Sequence, residues 1–330
     1  RLQEENAHLK AVNEQRKKAI EFVSYILNAP AADRTERSSR QLTLVDQMAA
    51  FIKEDFVPLL RENNITANLD RADFERFMAN QKKTWITGKT AVAFIGEFSS
   101  GKMSIVNRLL TAGNPDATLM KVSTKASTAI PTYISSTSSN SFATYSFISK
   151  DESRKVLESR MVEEMSKETL DEVRGMDQLI NYVVREEANS FLSGISILDT
   201  PGFSSNDAKD KERTLEVVNE CDALFWVIDV NNGTINQSSL SVIREKLEKP
   251  LYIIVNKVDT KSSNEVNEVI HTISETLRSK GVEYKQILRF SKLEDIDQLI
   301  TMIRSIRKTG QAEDYFRRVQ GQLNILDGNL

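Results

Sequence analysis

Thr90-Ala91-Val92-Ala93-Phe94-Ile95-Gly96-Glu97-Phe98-Ser99-Ser100-Gly101-Lys102-Met103-Ser104-Ile105-Val106-Asn107-Arg108-Leu109-Leu110 is the stretch on which the fold turns. Thr90 to Ile95 is a short β-rich run that stops at Gly96, and a helix pattern runs from Lys102 to Leu110. Glycines at both ends let Gly96, Glu97, Phe98, Ser99, Ser100 and Gly101 fold tightly, with backbone N–H groups turned inward. The helix N-terminus adds partial positive charge, and Lys102 can reach the β and γ phosphates of a nucleotide. Strand, glycine loop and helix together read as a phosphate-binding loop.

One position departs from that pattern. The residue after the lysine should carry a hydroxyl for Mg²⁺, and Met103 stands there. A thioether suits a hard, oxygen-seeking cation poorly. Ser104 follows, but one residue along a helix is about 100° round the axis, which takes its hydroxyl off the ion.

Three further pieces lie downstream in order. Ser196-Ile197-Leu198-Asp199-Thr200-Pro201-Gly202 is a strand ending in D-x-x-G. There Asp199 is expected to hold Mg²⁺ through water, and the Gly202 amide to sense the γ-phosphate. Ile253-Ile254-Val255-Asn256-Lys257-Val258-Asp259 is a buried-type strand ending in N-K-x-D. Asp259 can accept both the N1–H and the 2-amino group of guanine, which adenine does not offer. Leaving such an acceptor unpaired costs about 1–3 kcal/mol, so the expected ligand is GTP or GDP. Asn256 is expected to brace the phosphate loop, and the Lys257 stem to stack on the base. From Gly96 to Asp199 is a separation of 103, roughly twice the spacing of a small Ras-type domain, so an insertion falls there. It holds Lys125-Ala126-Ser127-Thr128-Ala129-Ile130-Pro131, in which Thr128 is the candidate switch threonine and second Mg²⁺ ligand, with Thr124 the alternative. Ser291 and Lys292 follow a strand and could supply a guanine O6 contact.

Around these motifs the chain alternates strands and helices. Strand runs read at Thr132–Ile134, Ala143–Ile148, Ile195–Leu198, Leu224–Val230, Leu251–Val255 and Ile287–Phe290, and Asp151–Ser193 reads as charged and helix-prone. The expected class is α/β, a P-loop GTPase domain with a mostly parallel sheet and helices on both faces. Helical flanks extend it. Leu2, Leu9 and Val23 share one heptad position and Val12, Ala19 and Ile26 another, and a second amphipathic helix runs from Leu44 to Leu60. The expected division is 1–83, an N-terminal helical neck segment; 84–292, the large GTPase domain; and 293–330, a C-terminal helical segment returning to the neck.

Composition narrows the classes. Of 330 residues only 12 are Gly and 6 Pro, which favours long helices over an all-β sandwich or barrel. Lys and Arg number 44 against 47 Asp and Glu, so no overall basic field draws nucleic acid. A single cysteine, Cys221, excludes a disulfide framework and suits a reducing cytosol; His8 and His271 leave little for a histidine metal site. No run of 18 apolar residues reads as a membrane span, and nothing reads as a signal peptide. The chain opens at Arg1 rather than Met and reads as a piece of a longer protein.

The motifs Gly96-Glu97-Phe98-Ser99-Ser100-Gly101-Lys102, Ser127-Thr128-Ala129-Ile130-Pro131-Thr132, Asp199-Thr200-Pro201-Gly202 and Asn256-Lys257-Val258-Asp259 resemble those of the dynamin superfamily of large GTPases, bacterial dynamin-like proteins in particular. The resemblance implies GTP hydrolysis with Mg²⁺, dimerisation with a second copy or a related dynamin-like partner across the nucleotide face, and membrane remodelling. It also implies a cytoplasmic, peripherally membrane-associated protein whose lipid contact lies in regions not evident in this chain. Lys102 and Thr128 are the expected catalytic residues, with Ser99 facing a partner's site. Eukaryotic dynamins carry Gln where Phe98 stands. With Met103, that departure opens an alternative: a hydrolysis-impaired nucleotide-binding scaffold acting through its helices. A ribosome- or RNA-associated GTPase is disfavoured, because no basic, aromatic-interleaved appendage is present.

Overall fold

A computed structural model of the chain describes residues 2–33, 36–65, 71–97, 99–120, 130–137, 142–164, 179–200, 218, 220–235, 240, 244, 249–293, 295–308 and 311–329. Their packing forms two units: Arg1–Ala32 with Lys89–Arg307, and Asp33–Gly88 with Lys308–Leu330.

The first unit is built on a mixed nine-stranded sheet. Its strands are β1 (Thr90–Gly96), β2 (Thr132–Ser136), β3 (Thr144–Ser149), β4 (Arg154–Leu157), β5 (Ile180–Glu187), β6 (Ile195–Asp199), β7 (Ala223–Asp229), β8 (Leu251–Asn256) and β9 (Gln286–Arg289). They lie in the order β4-β3-β5-β2-β6-β1-β7-β8-β9. The half that carries the nucleotide motifs, β6-β1-β7-β8-β9, is parallel throughout. The antiparallel pairings β2–β6, β3–β5 and β3–β4 belong to the other half. Alternate residues of the central strands are buried on both faces. Val92, Phe94, Phe225 and Val227 pack with Ile105, Val106 and Leu109 of α5 (Lys102–Gly113), while Ala93, Ile95, Leu224 and Trp226 point the other way and are equally enclosed. Burial on both faces is why these strands read as near-continuous apolar runs.

The described residues of the stretch from Asp151 to Ser193 depart from the helix-prone reading, and residues 165–178 of it lie outside the described residues. Those described contain β4 and β5, with one short helix, α6 (Ser159–Glu164). Ile180-Asn181-Tyr182-Val183-Val184 is a β-branched and aromatic run, and β5 pairs with both β2 and β3. Its polar end is deceptive. Arg185 and Glu187 are buried and form a 2.6 Å ion pair, so charge here marks the interior rather than a solvated helix face.

The N-terminal helix α1 (Leu2–Asn28) belongs to the sheet-bearing unit, not to a separate segment ending near residue 83. Phe22 and Ile26 are buried against Phe147, Leu157, Met161, Ile180 and Val183. Earlier in the heptad seam Leu9 is exposed. Beyond α1 the chain caps the sheet edge, where Val156 N–H donates to Pro30 O at 2.9 Å and Ala32 N–H to Arg154 O at 3.0 Å. The unit also keeps α7 (Ser263–Ser279) and α8 (Asp297–Ser305). Leu299 and Ile303 of α8 join the α5 core cluster, so the packing boundary falls after Arg307 rather than at 292.

The second unit is helical. It holds α2 (Glu36–Ala50), a π-helical segment (Phe51–Phe56), α3 (Val57–Glu62), α4 (Arg71–Gln81) and α9 (Gln311–Asn329). Pro58 opens α3 and has no N–H for the helical ladder, and the widened turn before it is the local response. Val45, Ile52, Phe77 and Met78 pack around Tyr315 of α9, whose ring stacks on Phe77 at 4.4 Å. The N- and C-terminal flanks thus meet here through α2, α4 and α9. No described helix is long and apolar enough to cross a membrane.

Candidate functional site

Parallel register brings the motifs to one sheet edge. Phe94 pairs with Asp199, Gly96 with Val227 and Asp229 with Asn256, so every motif-bearing strand of this half ends on the same side. The carboxyl ends of parallel strands are where open α/β sheets bind ligands.

The phosphate loop connects β1 to α5. Gly96 has φ 146° and Gly101 φ 91°, values that disfavour a side chain. Space is also short: a Cβ on Gly96 would stand 2.3 Å from Val227 O, and one on Gly101 2.2 Å from Asn256 Nδ2. Between them Ser99 is exposed with φ 61°, and Ser100 Oγ donates to Glu97 O at 2.9 Å. Phe98 lies outside the described residues. Lys102 is buried at the first turn of α5, and its ammonium donates to Gly96 O and Glu97 O, both at 2.9 Å. Burial lowers its pKa to about 8, partly offset by the charges of Asp199 and Glu97. Met103 is half-buried and Ser104 exposed on the same turn.

Asp199 closes β6 and is buried. Its pKa is pushed up to about 6 by desolvation, against the pull of Lys102. Its Oδ2 has no hydrogen-bond partner among the described residues. A buried carboxylate oxygen left open beside a phosphate loop fits a hydrated divalent cation. Met103 does not fit the direct contact that a hydroxyl would make, so the donor set for Mg²⁺ is incomplete at that position. Thr200 Oγ1 donates to Phe94 O at 3.0 Å, tying the strand end to β1. Gly202, Thr128 and Thr124 lie outside the described residues.

The N-K-x-D turn sits against the same loop. Asn256, buried, donates from Nδ2 to Ser100 O at 2.8 Å. Lys257, at φ 61°, donates from Nζ to Ser99 O at 2.9 Å and to Asp229 Oδ2 at 2.6 Å. Asp259 is exposed, open to a ligand's edge. Ser291 is buried and Lys292 exposed after β9. Arg108 of α5 donates to Ser291 O at 2.8 Å and covers the Phe290 ring at 5.1 Å, which fixes that loop to the phosphate-binding helix.

Sequence reasoning missed the turn after β7. Asp229 and Asn231 contact the N-K-x-D turn, and Asn232 Nδ2 reaches Glu97 Oε2 at 3.4 Å. The signal was faint: Asp229-Val230-Asn231-Asn232-Gly233 is an Asx-rich turn at a parallel strand end.

Dynamin-like protein A of Bacillus subtilis (strain 168) is 24% identical over 136 residues, covering 40% of this chain and 11% of that protein. The chain therefore spans about a tenth of the length of the curated relative it matches. Among solved structures, a chain of an oligomerised bacterial dynamin pair that senses and tethers membranes is 14% identical, with 84% of this chain and 47% of that one covered at a TM-score of 0.48. Era from Aquifex aeolicus, bound to GDP.AlF4-, is 17% identical over 66% of this chain and 57% of that one, at a TM-score of 0.39. The Dynamin family matches residues 92–259, more than half of the sequence, and the chain belongs to that family.

Proposed function

We propose that this chain is the nucleotide-binding part of a large GTPase that couples GTP binding and hydrolysis to dimerisation and membrane remodelling. The observation that carries the reading is the cradle itself. Gly96 and Gly101 leave no room for a Cβ, Asn256 holds the loop from the base-reading turn, and Asp259 stays open. On nucleotide entry, Lys102 would exchange the carbonyls of Gly96 and Glu97 for phosphate oxygens. The loop amides would share that charge, and Asp259 would take the guanine edge. Phosphoryl transfer needs positioning and charge neutralisation more than covalent chemistry, and these groups supply both. Ser99, exposed at the loop's crest, is the residue of this set open to a partner across the nucleotide face.

Magnesium would neutralise charge between the β and γ phosphates, and Asp199 is the described residue suited to its water shell. Because Met103 offers no hard ligand, nucleotide binding should depend little on magnesium and turnover should be slow. Thr128 remains the proposed switch threonine, and Ser291 and Lys292 the proposed guanine O6 contacts. Peripheral membrane association and pairing with a second or related copy are part of the same proposal.

Calorimetry checks the reading first: GDP and GTP should bind, ADP and ATP negligibly. Equal affinity for adenine nucleotides would remove it. Met103→Ser should then increase both affinity in magnesium and GTP turnover. One restored ligand is worth a few kcal/mol, and each 1.4 kcal/mol is about tenfold. Brisk magnesium-dependent hydrolysis by the natural sequence, unchanged in Met103→Ser, would show that the methionine is harmless.

A further inference from the structure

Asp229 ends β7 and caps the short 3₁₀ turn Val230–Asn232. Its Oδ2 accepts from Lys257 Nζ at 2.6 Å, and its Oδ1 accepts from the Asn231 backbone N–H and from Asn231 Nδ2, both at 2.9 Å. Asn231 Nδ2 lies 3.2 Å from Thr260 Oγ1, and that hydroxyl donates to Lys257 O at 2.7 Å. Asp229, Asn231, Thr260 and Lys257 thus close a ring around the backbone of the base-reading turn. Lys257 needs such support. A left-handed φ of 61° on a residue with a side chain persists only where the surroundings over-determine it.

Lys257 Nζ sits on the phosphate loop at Ser99 O, and an unpaired ammonium there would be drawn to a bound nucleotide's phosphates. Asp229 supplies the counter-charge. Burial alone would push its carboxyl up, but the hydrogen bonds from Lys257 and Asn231 outweigh that and hold it below the ordinary carboxylate range. The same turn reaches the loop a second time through Asn232 and Glu97.

We propose that Asp229 is a positioning residue for guanine recognition, pinning Lys257 so that its stem walls the base while Asp259 reads the edge. This rests on the guanine-nucleotide reading above.

The test is a double-mutant cycle on the full chain, read as GDP and inosine diphosphate affinity. Inosine diphosphate lacks the 2-amino group that Asp259 accepts. Asp229→Ala should weaken both ligands by the same factor, about five- to tenfold for the loss of a charge-assisted bond at a part-exposed site. The GDP to inosine diphosphate ratio should stay as in the natural sequence, because the Asp259 contact is untouched. In a Lys257→Ala background the same change should cost less than about twofold, since coupled residues do not add. Asp229→Asn keeps the shape without the charge. It should lose less, and it stands in for the alanine variant in the cycle if circular dichroism shows that variant unfolded. Undiminished GDP affinity in Asp229→Ala, or a penalty that persists in full without Lys257, would overturn the proposal alone. Absence of GDP binding by the natural sequence would overturn the guanine reading and this proposal with it.

Discussion

Gly101 shows how little freedom single residues have at this site. Its positive φ disfavours a side chain, and Asn256 Nδ2 already fills the place a Cβ would take. Gly101→Ala should therefore displace Asn256 from Ser100 O, costing about 1–3 kcal/mol of nucleotide affinity, at least fivefold in GDP titration, with the fold intact by circular dichroism. Wild-type affinity in that variant would mean that the Asn256 bond does not shape the loop. That Gly101, Lys102 and Asp259 stand just beyond strand ends was legible in the sequence, because each follows an apolar strand run at short spacing. Asp229 was not. Its partner Lys257 lies 28 positions away, and the two meet through the β7–β8 register, which no local pattern encodes.

Among elements, α1 turns on its last three turns. Phe22 is fully buried beneath the outer strands, while Ile20, two residues earlier, is 69% exposed. Phe22→Ala should cost about 3–5 kcal/mol in chemical denaturation, and Ile20→Ala no more than about 0.5. Similar costs for the two would place α1 off the sheet. The heptad spacing made the helix easy to see but did not say which of its residues are covered, because periodicity fixes a face and not its partner. β5 is the opposite case. The β-branched run Ile180 to Val184 stands in the sequence, yet the charge of the whole stretch Asp151 to Ser193 made it read as helix-prone. Burying an ion pair is costly, so the prior against charged residues inside a strand is sound in general and fails at this pair.

At the scale of the whole molecule the two packing units should respond to different perturbations. GDP binds only the sheet-bearing unit on the present reading, so at a hundredfold excess over its Kd it should add about 2.7 kcal/mol to that unit's stability. Tyr315→Ala removes the ring stacked on Phe77 and Phe74 in the helical unit, and should destabilise that unit by about 3–5 kcal/mol without changing GDP affinity. Calorimetric melting should show two transitions, one moved by GDP and the other by Tyr315→Ala. A single transition shifted by both would mean that the units unfold as one.

The clip at Pro30 and Ala32 has a mechanical consequence. The backbone passes between the units at residues 32–33 and again at 307–308, and these crossings are anchored differently. At the second, α8 is embedded through Leu299 and Ile303, so a pull must drag apolar side chains into water. At the first, tension arriving at Asp33 meets two main-chain hydrogen bonds at a sheet edge before it reaches Ile26 and Phe22. Residues 30–32 are therefore held by less buried apolar surface than α8, and the first crossing is the one expected to open first by local fluctuation.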